Sequence, residues 1–85
     1  RRSEAFIAFP GGTGTLEEIS EVMSLSSLKL TKAPCILYNL NGYYEPLRLQ
    51  LQRMVEAGLS SPERQEDIHF ASDLREIQNI LAENC

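Results

Sequence analysis

An α/β fold built on a parallel sheet is predicted by three features of the sequence. Short apolar runs at 4–9, 34–39 and 67–71 read as strands, segments of helical periodicity follow each of them, and the connections are short. Glu4-Ala5-Phe6-Ile7-Ala8-Phe9 lacks polar alternation, which suits a strand buried on both faces, and Pro10-Gly11-Gly12 ends it. Thr15 and Glu18 have the spacing of a capping box, so a helix is expected over about 15–28 with Leu16, Ile19, Val22 and Met23 on one face. The polar stretch Lys29 to Ala33 closes that helix, and Pro34-Cys35-Ile36-Leu37-Tyr38-Asn39 is the second strand.

Asn41-Gly42 is a strong turn signal, and Pro46 suits the first position of a helix whose Leu47, Leu51, Met54 and Val55 share a face. Gly58 is expected as its C-terminal cap. Ser61-Pro62-Glu63 reads as a turn, Asp67-Ile68-His69-Phe70-Ala71 as a third strand, and Ser72-Asp73 as the cap of a last helix carrying Leu74, Ile77, Ile80 and Leu81. This βαβαβα order, with right-handed crossovers, describes half of a Rossmann-like fold, a parallel sheet with flanking helices. Such sheets bind ligands beyond the carboxyl ends of their strands, often where strand order reverses, which places the loops at 10–15 and 40–45 on the ligand side.

Eighty-five residues hold at most one domain, and a core of that size only marginally offsets the entropy of folding. The chain begins at Arg1 and enters a buried strand almost at once, so residues 1–85 are read as the C-terminal half of a single larger domain. Hydrophobic content of 42% with 24% charged residues is that of a soluble globular protein, and no apolar run is long enough for a membrane span. A net charge of −4 argues against nucleic-acid backbone as a partner, while a small anion remains accessible through local dipoles. Cys35 and Cys85 make neither a metal cluster nor a disulfide framework, which points to a reducing, cytoplasmic setting; Cys35 reads as a core residue and Cys85 as an exposed tail.

Three glycines within four positions, between a buried strand and a helix, let backbone amides approach a bound group closely. The first helical N–H groups and the positive end of the helix dipole point into the same space, and Thr13 and Thr15 add hydroxyls. A phosphate fits that chemistry; a tight turn without a ligand is the competing reading. The P-loop would need a Lys where Thr15 stands and the dinucleotide fingerprint a third glycine where Glu17 stands, so ATP hydrolysis and simple NAD binding lose ground. Glu18, one turn into the helix, can stabilise an oxocarbenium-like transition state or orient water at a sugar, as carboxylates do in glycoside hydrolysis. Its structural alternative is the capping box itself. Glu17 reads as a solvated first-turn anion.

The segment Pro10-Gly11-Gly12-Thr13-Gly14-Thr15-Leu16-Glu17-Glu18 resembles the PGGxGTxxE signature of the LOG family. Asn39-Leu40-Asn41-Gly42-Tyr43-Tyr44-Glu45-Pro46 resembles that family's second recognisable stretch, and Val55-Glu56-Ala57-Gly58 also fits. The resemblance implies hydrolysis of the N-glycosidic bond of nucleoside 5′-monophosphates, cytokinin riboside monophosphates or AMP, to free base and ribose 5-phosphate, with no cofactor and no metal. It implies that Gly11, Gly12, Thr13, Gly14 and Thr15 hold the 5′-phosphate and that Glu18 is the catalytic carboxylate. The family's other catalytic group, an Arg in an Arg-Lys pair, is expected several residues upstream of Arg1; Arg1 and Arg2 themselves read as a solvated helix end. The older family label, lysine decarboxylase, finds no support, because neither Lys29 nor Lys32 has a recognisable pyridoxal phosphate site around it.

The resemblance also implies a homodimer through the helix near 16–28, although Met23 to Leu30 departs from the family's usual Thr-Trp-Ala-Gln-Leu-Gly and dimer packing or base recognition is expected to differ. Tyr43 and Tyr44 have two readings, lining the ligand side or, as two aromatics after a turn more often do, packing against the sheet, and His69 is expected to be structural. The alternative to an enzyme is a non-catalytic binding module for nucleotides or phosphorylated ligands, as in the similar molybdenum-cofactor carriers. The 85 residues alone are expected to be inactive without the upstream arginine.

Overall fold

The three apolar runs form one parallel sheet. In the computed structural model, which describes residues 5–83, β1 (Phe6–Ala8), β2 (Cys35–Tyr38) and β3 (Ile68–Ala71) lie in the order β1-β2-β3. Register pairs Phe6 with Cys35 and Cys35 with Ile68, so β2 is the central strand. Cys35, Ile36 and Leu37 are buried in succession because β2 has neighbours at both edges and helices over both faces. The strands are shorter than the apolar runs. Pro34 has no N–H to contribute to the ladder, although its carbonyl accepts from Phe6 N at 3.0 Å, and Asn39 begins the turn after β2. Strand order does not reverse among the described residues.

Helices α1 (Thr13–Ser27) and α2 (Glu45–Glu56) cover one face, where Ala8, Ile19, Cys35, Leu37 and Tyr44 form a core bordered by Val22, Met23 and Leu47. Helix α3 (Leu74–Glu83) covers the other, packing Ile77, Ile80 and Leu81 against Ile36 and Ala71. Leu74, expected on the apolar face of α3, is exposed instead. No helix among the described residues is long and apolar enough to cross a membrane. The readings of Arg1, Arg2, Glu4 and Cys85 lie outside the described residues.

The turn and cap signals hold at several places. Asn41 and Gly42 have φ of 53° and 74°, and Tyr43 N donates to Leu40 O at 3.0 Å, a type I′ turn that an Asn-Gly pair favours. Gly58, with φ of 79°, ends α2: its N–H donates to Val55 O and that of Leu59 to Met54 O, the paired bonds of a Schellman motif. Helix α1 ends the same way with Lys29 at φ of 59°, Lys29 N on Ser26 O and Leu30 N on Leu25 O, which no glycine in the sequence announces. Its ammonium then reaches Glu66 Oε2 and Glu63 O, each at 2.8 Å, fastening the end of α1 to the turn before β3.

One expected element is corrected. Helix α1 starts at Thr13 with Gly12 as N-cap, and no side chain caps it. The carbonyl of Gly12 already accepts from Leu16 N at 3.0 Å, so helical hydrogen bonding begins before Thr15, which sits within the first turn and cannot close a capping box with Glu18. Glu17, for the same reason, stands beyond the first turn, where no acidic side chain occurs.

Candidate functional site

The segment from Phe9 to Thr15 leaves the carboxyl end of β1 and becomes α1. An α-helix leaves its first N–H groups without intrahelical partners, and they carry the positive end of its dipole. At α2 and α3 the first turn holds an acid, Glu45 and Glu76 respectively, whereas α1 has neither an acid there nor a side-chain cap. Gly12, Thr13 and Gly14 are exposed, and Gly11 and Thr15 are half-buried. The structure thus brings the five residues singled out for phosphate together around one open helix start.

The glycines are there for different reasons than sequence alone implies. None of Gly11, Gly12 and Gly14 adopts a positive φ. A β-carbon on Gly11 would lie 2.3 Å from Thr15 Oγ1 and 2.9 Å from Thr15 Cβ, so Gly11 is fixed by the Thr15 side chain folding back over it. Around Gly12 and Gly14 a β-carbon would meet nothing within 4 Å.

Glu18 is exposed in the second turn of α1, next to the fully buried Ile19. At 3.6 residues per turn it lies about 200° around the helix from Leu16. Leu16 lines a cleft of about 340 Å³ with Gly11, Gly12, Thr13, Tyr43, Tyr44 and Leu47, between the loop and the start of α2. The carboxylate and this largely apolar cleft therefore fall on opposite flanks of α1, with the helix start between them.

The hydroxyl contacts of two tyrosines at the site are not foreseen by the sequence. Tyr44 packs into the core as expected, but its hydroxyl donates to Phe9 O at 2.6 Å, and the exposed Tyr43 donates its hydroxyl to Gly11 O. The rings meet edge to face at 5.1 Å. Asn39 holds the pair in place, its Oδ1 accepting from Tyr44 N at 2.6 Å and its Nδ2 donating to Glu45 Oε1 at 3.4 Å. Burial, helped by the neighbouring Tyr43, raises the Tyr44 phenol above its ordinary pKa, so it remains a donor at neutral pH. Hydrogen bonding to Arg48 lowers the Glu45 carboxyl. No pattern in the sequence flags the hydroxyl contacts, because they join residues more than thirty positions apart.

The other groups weighed for chemistry lie elsewhere. Burial pushes the Cys35 thiol up to about 11, so it stays neutral as a core residue. His69 sits in β3 opposite Ile36, its Nε2 buried without a hydrogen-bond partner. Lys29 is engaged with Glu66 and Glu63 at the far end of α1 from the loop. Among the described residues no three His, Cys, Asp or Glu side chains converge as metal ligands.

Comparison with known proteins places this geometry. The family described as "Possible lysine decarboxylase" matches residues 1–81. The probable cytokinin riboside 5′-monophosphate phosphoribohydrolase LOGL3 of Oryza sativa subsp. japonica is 41% identical over 83 residues, covering 98% of this chain and 39% of its own length. The cytokinin riboside 5′-monophosphate phosphoribohydrolase LOG3 of Arabidopsis thaliana is likewise 41% identical, over 98% of this chain and 39% of its own length, and LOG4 of the same plant is 40% identical over the same shares. The chain spans about two fifths of the length of these relatives. With the family matching residues 1–81 and identity of 41% over 83 residues to these relatives, the chain belongs to the family described as "Possible lysine decarboxylase", alongside the LOG phosphoribohydrolases.

Proposed function

We propose that the intact protein, of which these residues form the C-terminal half of a single nucleotide-binding domain, hydrolyses nucleoside 5′-monophosphates. Water replaces the base at the anomeric carbon, releasing free base and ribose 5-phosphate, with cytokinin riboside monophosphate or AMP as substrate. The reading rests on one observation above the others: α1 begins with uncapped, uncompensated N–H groups and carries a carboxylate one turn along. Relatives about 41% identical over 98% of this chain are named as cytokinin riboside 5′-monophosphate phosphoribohydrolases, which supports the reading.

In this reading the amides and hydroxyls of Gly11, Gly12, Thr13, Gly14 and Thr15 hold the 5′-phosphate, and the open space over Gly12 and Gly14 admits its oxygens. Glu18 stands on the flank away from the tyrosines and faces the ribose, where its negative charge stabilises positive charge developing at the anomeric carbon. An arginine from the preceding part of the protein completes the pair. The exposed Leu25 in α1 and Leu28 at its C-cap support a homodimer through that helix, and the free thiol of Cys35 suits a reducing, cytoplasmic setting.

Adenine release from AMP by the intact protein and its Glu18→Gln variant tests the reading. General acid–base or charge-stabilising groups contribute about 10²–10⁴-fold, so the variant is expected to lose turnover on that scale while retaining AMP binding. Equal turnover by both proteins removes Glu18 from the chemistry. An intact protein that binds AMP and releases no base is a nucleotide-binding module instead.

A further inference from the structure

We propose that Tyr43 and Tyr44 are positioning residues that orient the glycine loop for its anion. The inference rests on the reading of that loop as a phosphate site and adds the device that sets its geometry. A trans peptide is planar, with its C=O and N–H pointing in opposite directions, and no peptide among the described residues is cis. The carbonyl of Gly11 and the N–H of Gly12 belong to one such plane. Holding Gly11 O with the Tyr43 hydroxyl therefore turns Gly12 N–H away from the cleft and from α2.

Tyr44 fixes the other end of the segment by holding Phe9 O at 2.6 Å. Between them lie Pro10, whose φ is restricted by its ring, and Gly11, which has the freedom to rotate if nothing restrains it. The two hydroxyls thus anchor two of the three carbonyls from Phe9 to Gly11 on the α2 side. Carbonyl oxygens turned toward a phosphate would repel it; with these anchored behind the loop, amide hydrogens remain on the side it approaches. The tyrosines are themselves placed by the type I′ turn at Asn41-Gly42 and by Asn39, which binds the N–H of Tyr44. A turn after β2 in this way sets the direction of a peptide after β1.

The test is a Tyr43→Phe variant of the intact protein, which keeps the ring and its packing on Tyr44 and removes only the hydroxyl. Binding of inorganic phosphate and of AMP is followed by titration, together with KM and kcat for base release and the amide signal of Gly12 by NMR. The expected result is a fall of about tenfold in affinity for both ligands, a matching rise in KM with kcat less affected, unchanged thermal stability, and a mobile Gly12 amide in the ligand-free variant. Tyr43→Phe with wild-type affinity for inorganic phosphate and a wild-type Gly12 signal overturns the clamp and leaves the enzyme reading standing. A wild-type protein that binds phosphate tightly but releases no base, while Tyr43→Phe binds it weakly, supports the clamp and sinks the enzyme reading. No phosphate binding by the wild type overturns the loop as a phosphate site and the clamp's role with it.

Discussion

The starts of α1 and α3 follow the carboxyl ends of parallel strands, yet they treat the same unsatisfied N–H groups in opposite ways. At α3 the side chain of Asp73 accepts from Glu76 N at 2.9 Å, and Glu76 reaches back to Ser72 N at 2.6 Å. That helix start is closed on itself. At α1 the N-cap is Gly12, no side chain caps it, and the hydroxyl of Thr15 lies against Gly11 instead. A capping motif and an anion draw on the same donors, so a helix start without a cap leaves them open.

The difference can be broken from either side. Gly11→Ala is expected to have the largest effect, because its β-carbon would overlap Thr15 Oγ1 at 2.3 Å and force the first turn of α1 to shift. Overpacking of this kind costs about 1–3 kcal/mol, visible as a lower thermal midpoint, and phosphate affinity should fall with it. Gly14→Ala is expected to move stability the other way: nothing lies within 4 Å of its β-carbon and it stands inside a helix, so stability should rise by up to about 1 kcal/mol.

Gly12→Asp would make α1 resemble α3. The new carboxylate has open space and would cap the first N–H groups, raising stability by a few tenths of a kcal/mol, about the difference between glycine and a good N-cap. Its charge would exclude a phosphate, so affinity for AMP should fall at least about tenfold, about 1.4 kcal/mol. Tight AMP binding by this variant would show that the ligand does not use the helix start. Asp73→Ala opens α3 in turn and should cost about 1 kcal/mol of stability while leaving AMP affinity unchanged.

Much of the fold is legible in local chemistry. Asn41-Gly42 forms the turn that its tolerance of positive φ implies, and Gly58 caps α2. The apolar runs become strands because β2 must be buried on both faces, and Cys35 is the core residue its neighbours imply. The spacing of Thr15 and Glu18 suggests a capping box that does not form, since a helix begins wherever the first backbone bond closes, and here Leu16 N closes it on Gly12. Ser72-Asp73, by contrast, does cap its helix, with Glu76 answering as the partner.

The order of elements, the parallel sheet, and the loop from Pro10 to Thr15 with Glu18 one turn beyond follow from local chemistry, because strand burial, turn preference and helical period act over a few neighbouring residues. Which donors of that loop stay open, why Gly11 must be glycine, and the grip of Tyr43 and Tyr44 on its carbonyls emerge from packing across the fold. Those outcomes depend on the backbone after β1 meeting side chains from α1 and from the turn after β2, and hydrogen-bond direction between residues so far apart in sequence is set by packing rather than by local preference.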